Sequence, residues 1–201
     1  MRKVTVIIPF NEDRGYLDQA IESVENQTYD GEIELILSRS EHGVSYNLNR
    51  GIEQSTGDYI KYLCDDDRLT PNSIKDSVEA IQDYDFIHGN AINFWSNKKE
   101  FWRPRVSNPD FKRLVLGNTI HGGSLMYKRE VFDYFGMFDE SLWTGEEYEF
   151  NLRILSMGAK IGYCNAFLYY YRRHDNQKSL GKKSNQVERT KEIERIKRLY
   201  V

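Results

Sequence analysis

Long apolar runs are missing from this chain of 201 residues, and none approaches the roughly 20 residues that a membrane span requires. The apolar opening VTVIIPF is too short for the core of a secretion signal. It contains Pro9 and runs into NED rather than a small-residue cleavage site. Cysteine is scarce: Cys64 and Cys164 alone make no disulfide framework and fit a reducing, cytosolic setting. Excess positive charge is also lacking, because a net charge of −3 offers no global electrostatic case for nucleic acid. No internal repeat or low-complexity segment is present, so a single globular unit with a real core is expected.

Aromatic residues are plentiful at 13%, with 14 tyrosines, and exposed rings of this kind stack on sugars or bases. Charge is unevenly placed. Between Lys178 and Val201 eight Lys or Arg stand against three Glu, so an acidic body carries a basic tail. In that tail Val187, Ile193, Ile196 and Tyr200 can share one helical face. Such a tail, 180–201, can pack on the body, pair with a second copy as a homodimer, or touch anionic lipid as a peripheral contact.

KVTVIIPF, residues 3–10, is a β-branched run suited to a strand buried on both faces of a parallel sheet. Leu17, Ala20, Ile21 and Val24 follow at helical spacing, then the strand IELIL, a second helical pattern through Leu48 and Ile52, and a third strand at 59–63. This alternation is that of an α/β sheet whose ligands bind beyond the carboxyl ends of its strands. Further on, NSIKDSVEAIQDY reads as a helix with Ile74, Val78 and Ile81 on one face. DFIHGNAINFW reads as a strand, and 96–110 as an excursion or hairpin over the open edge. EEYEFNLRILSMG is a helix that stops at Gly158, and KIGYCNAFLYYYRRH closes the sheet.

Three clusters carry chemistry. Asp65, Asp66 and Asp67 follow the third strand directly. Two readings stand side by side: hard oxygen ligands for Mg²⁺ or Mn²⁺ holding a diphosphate, or an N-cap and dipole partner for the helix after LTPNSI. Glu146, Glu147 and Glu149 stand at a helix start after Gly145, where carboxylates serve the helix dipole or act as a general base. Arg172, Arg173 and His174 end an aromatic strand, where arginine can neutralise phosphate.

The ordered segments VTVIIPFN, YLDQAIESVENQTY, GVSYNLNRGIEQSTGDYIKYLCDDDRLTP, GGSLMYKREVFDYFGMFDESLWTGEEYEFNLRI and YYYRRH together resemble a family 2 glycosyltransferase of the GT-A fold, over about residues 3–179. The resemblance implies an α/β fold with a mixed, mostly parallel, Rossmann-like sheet in a single domain, and an inverting, metal-dependent hexosyl transfer. A nucleotide diphosphate sugar, UDP-linked by family habit, would be the donor. Mn²⁺ or Mg²⁺ would be held by Asp66 and His174. Asp65 would sit near the ribose or sugar, and Glu147, paired with Glu146, would be the catalytic base. Pro9, Phe10, Asn11, Arg39 and Arg172 would line the donor pocket. Gly122 and Gly123 would let donor sugar and acceptor approach the backbone. Trp102 and Trp143, with Trp95 and Arg103, fall in segments able to form an acceptor wall, the acceptor being a saccharide, a lipid-linked sugar, a protein or a modified base.

The sequence also departs from the family's pattern. The loop SRSEHG lacks the Asp-Gly pair that holds the base, the following helix has Leu48 in place of the usual arginine, and the metal motif begins with Cys64. Glu147 stands where Asp is common. The region beyond the last strand is short, as in a minimal member. A sugar-nucleotide binder without turnover is the alternative. A nucleotidyltransferase is disfavoured, because PFNEDRGYL is acidic where that class needs a glycine-rich basic phosphate loop.

Overall fold

The computed structural model describes residues 1–95, 98–102, 109–178 and 185–201, with only the backbone of Phe101 and Trp102. The apolar run after Lys3 forms β1 (Val4–Phe10), which lies between β2 (Ile33–Arg39) and β3 (Tyr59–Tyr62), parallel to both. Both faces of β1 are buried, as a central parallel strand requires. Helices α1 (Leu17–Glu25) and α2 (Val44–Gln54) make the crossovers, and α3 (Ser73–Ile81) leads to β5 (Phe86–Phe94).

The sheet continues beyond β3 through the short β7 (Met126–Lys128) to β5, β8 (Ile161–Arg172) and the two-residue β4 (Arg68–Leu69). It is mixed: the longest ladders, β1 with β2 and β5 with β8, are parallel, whereas β7 is antiparallel to both neighbours. The excursion expected after β5 begins as a hairpin, with β6 (Lys99–Trp102) antiparallel to β5. Residues 103–108, which include Arg103, lie outside the described residues, as does the side chain of Trp102. A short helix, α4 (Phe111–Leu116), follows; its N-cap Asp110 accepts from the Arg113 N–H at 2.8 Å.

Two cores sandwich the sheet. Val4, Val6, Ile8, Tyr59 and Leu63 pack with Ala20, Val24, Ile74 and Ile81 of α1 and α3 on one face. On the other, Ile7, Ile60, Tyr62 and Tyr127 meet α2, α5 (Arg129–Phe135) and α6 (Glu146–Ser156). An aromatic cluster ties this second layer together. Phe132 stacks on Phe150 at 5.3 Å between centroids, and Phe138 lies 4.7 Å from Phe150. Edge and offset contacts of this kind add to simple burial. Among the described residues no helix is long and apolar enough to cross a membrane.

The basic tail forms α7 (Gln186–Arg198), capped by Asn185, whose side chain accepts from Glu188 N–H at 3.2 Å. Its solvent side is laced by pairs three residues apart, Lys191 with Glu188, Arg195 with Glu192 and Lys197 with Glu194. Its apolar side is covered by its own chain. Ile196 is fully buried, Ile193 and Tyr200 pack against the same core, and Tyr200 Oη donates to Glu149 at 2.6 Å. Val187 does not join this face; at 65% exposure it points to solvent, because at 3.6 residues per turn it lies roughly 120–180° round the helix from Ile193 and Ile196.

One residue sits in the core against expectation. Lys61 of β3 is fully buried, with Nζ donating to the Leu125 carbonyl at 3.3 Å. Dehydration of the ammonium pushes its pKa from 10.5 down to about 7. The unfolded lysine is protonated more readily than the folded one. Lys61 therefore opposes folding increasingly as pH falls from 10.5 to 7, and by a constant amount below. Lys61→Met should stabilise the protein by about 2–4 kcal/mol at pH 7. Urea melts of both proteins at several pH values should show that gain shrinking toward pH 10.

Candidate active site

The loops at the carboxyl ends of β1, β3 and β8 meet at one edge of the sheet. Asp67 does not cap α3, which starts at Ser73 with Asn72 as its cap residue. Instead, Asp67 Oδ1 accepts from the Arg172 backbone N–H at 2.8 Å, and Arg172 Nε donates to the Asp66 carbonyl at 2.7 Å. This reciprocal clasp removes the helix-cap reading and fixes the direction in which Asp66 points. Burial, with Asp66 adding like charge, raises the Asp67 carboxyl well above its usual range.

The Arg172 guanidinium is thus committed within the protein. It reaches Gln19 at 2.9 Å and lies over the rings of Tyr16 and Phe94, 4.4 and 4.6 Å from their centroids. The sequence suggests a donor contact for Arg172; the structure gives it the work of holding the aspartate loop. The turn after it is closed by Gln177, which accepts from His174 N–H at 3.2 Å and donates to the Arg172 carbonyl. His174 Nε2 is thereby brought 3.0 Å from Asp66 Oδ2.

Arg14, a residue the sequence reading passed over as part of a polar turn, is the cation already present. Its Nη2 stands 2.7 Å from Asp65 Oδ1 and 3.3 Å from Asp66 Oδ2. Burial raises the Asp65 carboxyl nonetheless, against the opposing pull of Arg14. The contact links residues 51 and 52 apart, so no local pattern announces it.

The donor set suits a hard divalent ion in part. Sγ of Cys64 and carboxylate oxygens of Asp66 and Asp67 lie within 4.8 Å of one another, and His174 adds an imidazole on the far side of Asp66. Burial, with the charges of Asp67, Asp66 and Asp65, raises the Cys64 thiol well above its usual range, and a thiol suits softer metals than the oxygen-seeking Mg²⁺. Asp66 and His174 are the residues that would hold such an ion, which ordinarily takes its remaining ligands from water and phosphate oxygen.

The second acidic pair begins α6 behind Gly145, which takes a left-handed conformation at φ +77°. Burial, joined by the neighbouring charge of Glu146, pushes the Glu147 carboxyl up to about 7. A carboxyl so placed exchanges a proton near neutrality. Glu149 is different: buried, it takes Arg153 at 3.0 Å as well as Tyr200, so it anchors α6 and α7 rather than facing substrate.

Gly122 and Gly123 lie in a 3₁₀ turn between the two acidic groups. A Cβ on Gly122 would collide with Tyr62 Oη and lie 3.6 Å from Glu147 Cγ, and one on Gly123 would stand 2.6 Å from the Tyr169 ring. The resemblance implies that these glycines admit substrate; the structure adds that on their Cβ side the space is filled from inside by Tyr62 and Tyr169. His121, just before them, bonds Tyr169 Oη through Nδ1. Burial, with Arg173 nearby, lowers its pKa to about 4, keeping it neutral.

The expected donor residues cluster at the other side of the mouth. Pro9 and Phe10 pair with Ser38 and Arg39, and Arg39 Nε donates to the Asn11 carbonyl at 3.1 Å. Asn47, which the sequence did not single out, ties both loops by donating to Phe10 and Ser40 carbonyls at 3.2 Å. Leu48 is buried under them. Trp143 is 43% exposed, with Lys178 5.6 Å from its ring centroid.

Residues 29–136 match the family model for glycosyl transferase family 2, more than half of the chain. This chain belongs to glycosyl transferase family 2. An uncharacterized glycosyltransferase of Rickettsia felis is 27% identical over 211 residues, covering 88% of this chain and 35% of that protein. One from Haemophilus influenzae is 25% identical, covering 96% of this chain and 72% of the relative. The chain thus spans about a third of the length of the Rickettsia relative. Residues 1–349 of S. aureus TarS, solved in complex with UDP, superpose with a TM-score of 0.71 at 16% identity, covering 98% of this chain and 65% of that one. A second TarS structure, in complex with UDP-GlcNAc, gives 0.69 at 15% identity, covering 87% and 60%. The family 2 member described here has the GT-A fold.

Gly122→Ala should cost about 1–3 kcal/mol through overpacking. Adding Tyr62→Phe removes the colliding oxygen and should restore most of it, as a double-mutant cycle in urea would show.

Proposed function

We propose that this chain transfers a hexose from a UDP-linked donor to an acceptor hydroxyl with inversion at the anomeric carbon, using Glu147 as general base. The observation that supports this reading is a buried Glu147 carboxyl beside the glycine turn, pushed up to about 7, together with the Asp66–His174 pair in the loops at the ends of β3 and β8. Family membership supports sugar transfer, and the TarS complexes with UDP and UDP-GlcNAc support the donor class.

In this mechanism Asp66 and His174 would hold Mg²⁺ or Mn²⁺, whose charge stabilises the departing diphosphate. Phe10, Asn11 and Arg39 would bound the nucleotide, with Asp65 beside its ribose or sugar. Glu147 takes the proton of the acceptor hydroxyl as that oxygen bonds to the anomeric carbon. The carbon–oxygen bond to the diphosphate breaks on the opposite face, and its electron pair leaves with the phosphate. Trp143, 43% exposed, would stack on the acceptor. The acceptor class, a saccharide, a lipid-linked sugar, a protein or a modified base, is set by surfaces beyond these residues.

Because the base works ionised, kcat/KM should fall below about pH 7, where Glu147 takes up its proton. Glu147→Gln should lower transfer by about 10²–10⁴-fold and leave donor binding intact in calorimetry. Full transfer by Glu147→Gln would remove the base assignment. Thermal melts with UDP, GDP, CDP and dTDP sugars, with and without Mn²⁺, test the donor. A Mn²⁺-dependent rise with the UDP sugar alone is expected, and Asp66→Asn should abolish it. A rise with another nucleotide, or with none, would overturn the UDP reading.

A further inference from the structure

The loop after β1 carries a cation into the aspartate loop. Arg14 presents two adjacent donors to Asp65, Nη2 at 2.7 Å from Oδ1 and Nε at 3.3 Å from Oδ2, and the same Nη2 stands 3.3 Å from Asp66 Oδ2. A guanidinium paired in this two-pronged way is held in orientation as well as by charge. Asp66 Oδ2 is also the oxygen that faces His174 Nε2 at 3.0 Å. The atom at which Asp66 and His174 meet is therefore held by Arg14 as well. Both carboxylates are nearly buried, with side chains 11 and 12% exposed, so this pairing is less screened than a surface salt bridge. The place of Arg14 is set from both sides. Before it, Asn11 Oδ1 accepts from Glu12 N–H at 2.8 Å and the Asn11 carbonyl accepts from Arg39. After it, Asp13 Oδ1 accepts from Gly15 N–H at 2.7 Å, Gly15 turns the chain at φ +82°, and the Tyr16 ring lies 5.2 Å from that of His174. Among the described residues Asp65 and Asp66 are the only ion-pair partners of Arg14.

We propose that Arg14 is a resident plug of the candidate metal site. With no donor bound it holds Asp65 and Asp66 against free Mg²⁺ or Mn²⁺, and a nucleoside diphosphate releases them by drawing the guanidinium onto its own oxygens. The proposal rests on the metal-dependent reading of this site. Charge balance argues for it. Taking up a divalent ion alone would break the pairing and leave Arg14 either beside a like charge or in water. A diphosphate brings negative charge enough for both cations, so ion and donor each favour the binding of the other. Arg172 is not available for that exchange, since its guanidinium is bonded to the Asp66 carbonyl and to Gln19. The site would thus be opened by the donor and closed again by Arg14 once the nucleotide has left.

The test is Mn²⁺ binding to the full chain without donor, followed by the electron paramagnetic resonance of unbound Mn²⁺, which needs no turnover. Arg14→Gln should bind Mn²⁺ about tenfold more tightly than the wild type, and Arg14→Lys, which keeps the charge, should stay near the wild-type value. Adding Asp66→Asn to Arg14→Gln should remove the gained site. UDP should raise the Mn²⁺ affinity of the wild type by a larger factor than that of Arg14→Gln, and an equal factor in both overturns the release by diphosphate. A purely structural arginine would lower the melting temperature and leave Mn²⁺ affinity unmoved. That result, in a variant with a native circular dichroism spectrum, overturns the proposal, as does gained binding that survives Asp66→Asn. If Arg14→Gln does not fold, NMR of the wild type decides. The Arg14 Nε–H resonance, assigned through Arg14→Lys, should stay in place with Mg²⁺ alone and move with Mg²⁺ and UDP together; movement with Mg²⁺ alone overturns the plug. Mn²⁺ binding by neither protein, with or without UDP, overturns the metal reading and the plug together, whereas equal binding by both overturns the plug alone.

Discussion

The clasp between Asp67 and Arg172 is the contact on which the site depends. One carboxylate oxygen takes a backbone N–H of β8, and the side chain of that same residue returns a hydrogen bond to the carbonyl of Asp66. The loop after β3 is thereby joined to the end of β8 across more than a hundred residues of chain. Neither half can shift without stranding a buried polar group of the other, which costs about 1–3 kcal/mol per group. The positions of Asp65, Asp66 and His174 follow from it, as does the seat of Tyr16 between Arg172 and the His174 ring.

Around this clasp, ionisation is divided between two regions. At the aspartate loop, Arg14 offers a permanent positive charge beside Asp65 and Asp66, with which the proposed metal ion would have to compete. At the start of α6 the carboxyls lie among tyrosines and glycine backbone, and burial drives Glu147 toward neutrality. His121 is kept uncharged between the two. One region therefore suits the holding of phosphate, and the other the exchange of a proton.

Much of the fold was legible because its signals are periodic. The buried strand at β1, the amphipathic α1 and α2 and the turn before β3 all follow from spacing, and the aspartates fall where α/β sheets place ligands. The two-residue β4 and the six-residue α4 were not legible, since elements of that length carry no period to read. Within the candidate site, residue types pointed to Asp66, Glu147 and His174 as the residues to examine. Arg14 and Asn47 were invisible, because their roles come from contacts across the fold rather than from neighbours in the chain. The clasp role of Arg172 was invisible for a related reason, since its partners Asp66 and Gln19 lie far away in the chain. Lys61 ran against every pattern, an ionisable group in a strand whose other inward residues are apolar.

The tyrosines beneath the glycine turn bear on how such a site can be altered. Tyr62 belongs to β3 and Tyr169 to β8, yet both press on Gly122 and Gly123 from below. The surface of this candidate turn is therefore contoured by residues buried beneath it. A loop grafted here from a relative would bring its own backbone to rings shaped for another, so transplantation of specificity has to move the supporting tyrosines together with the turn.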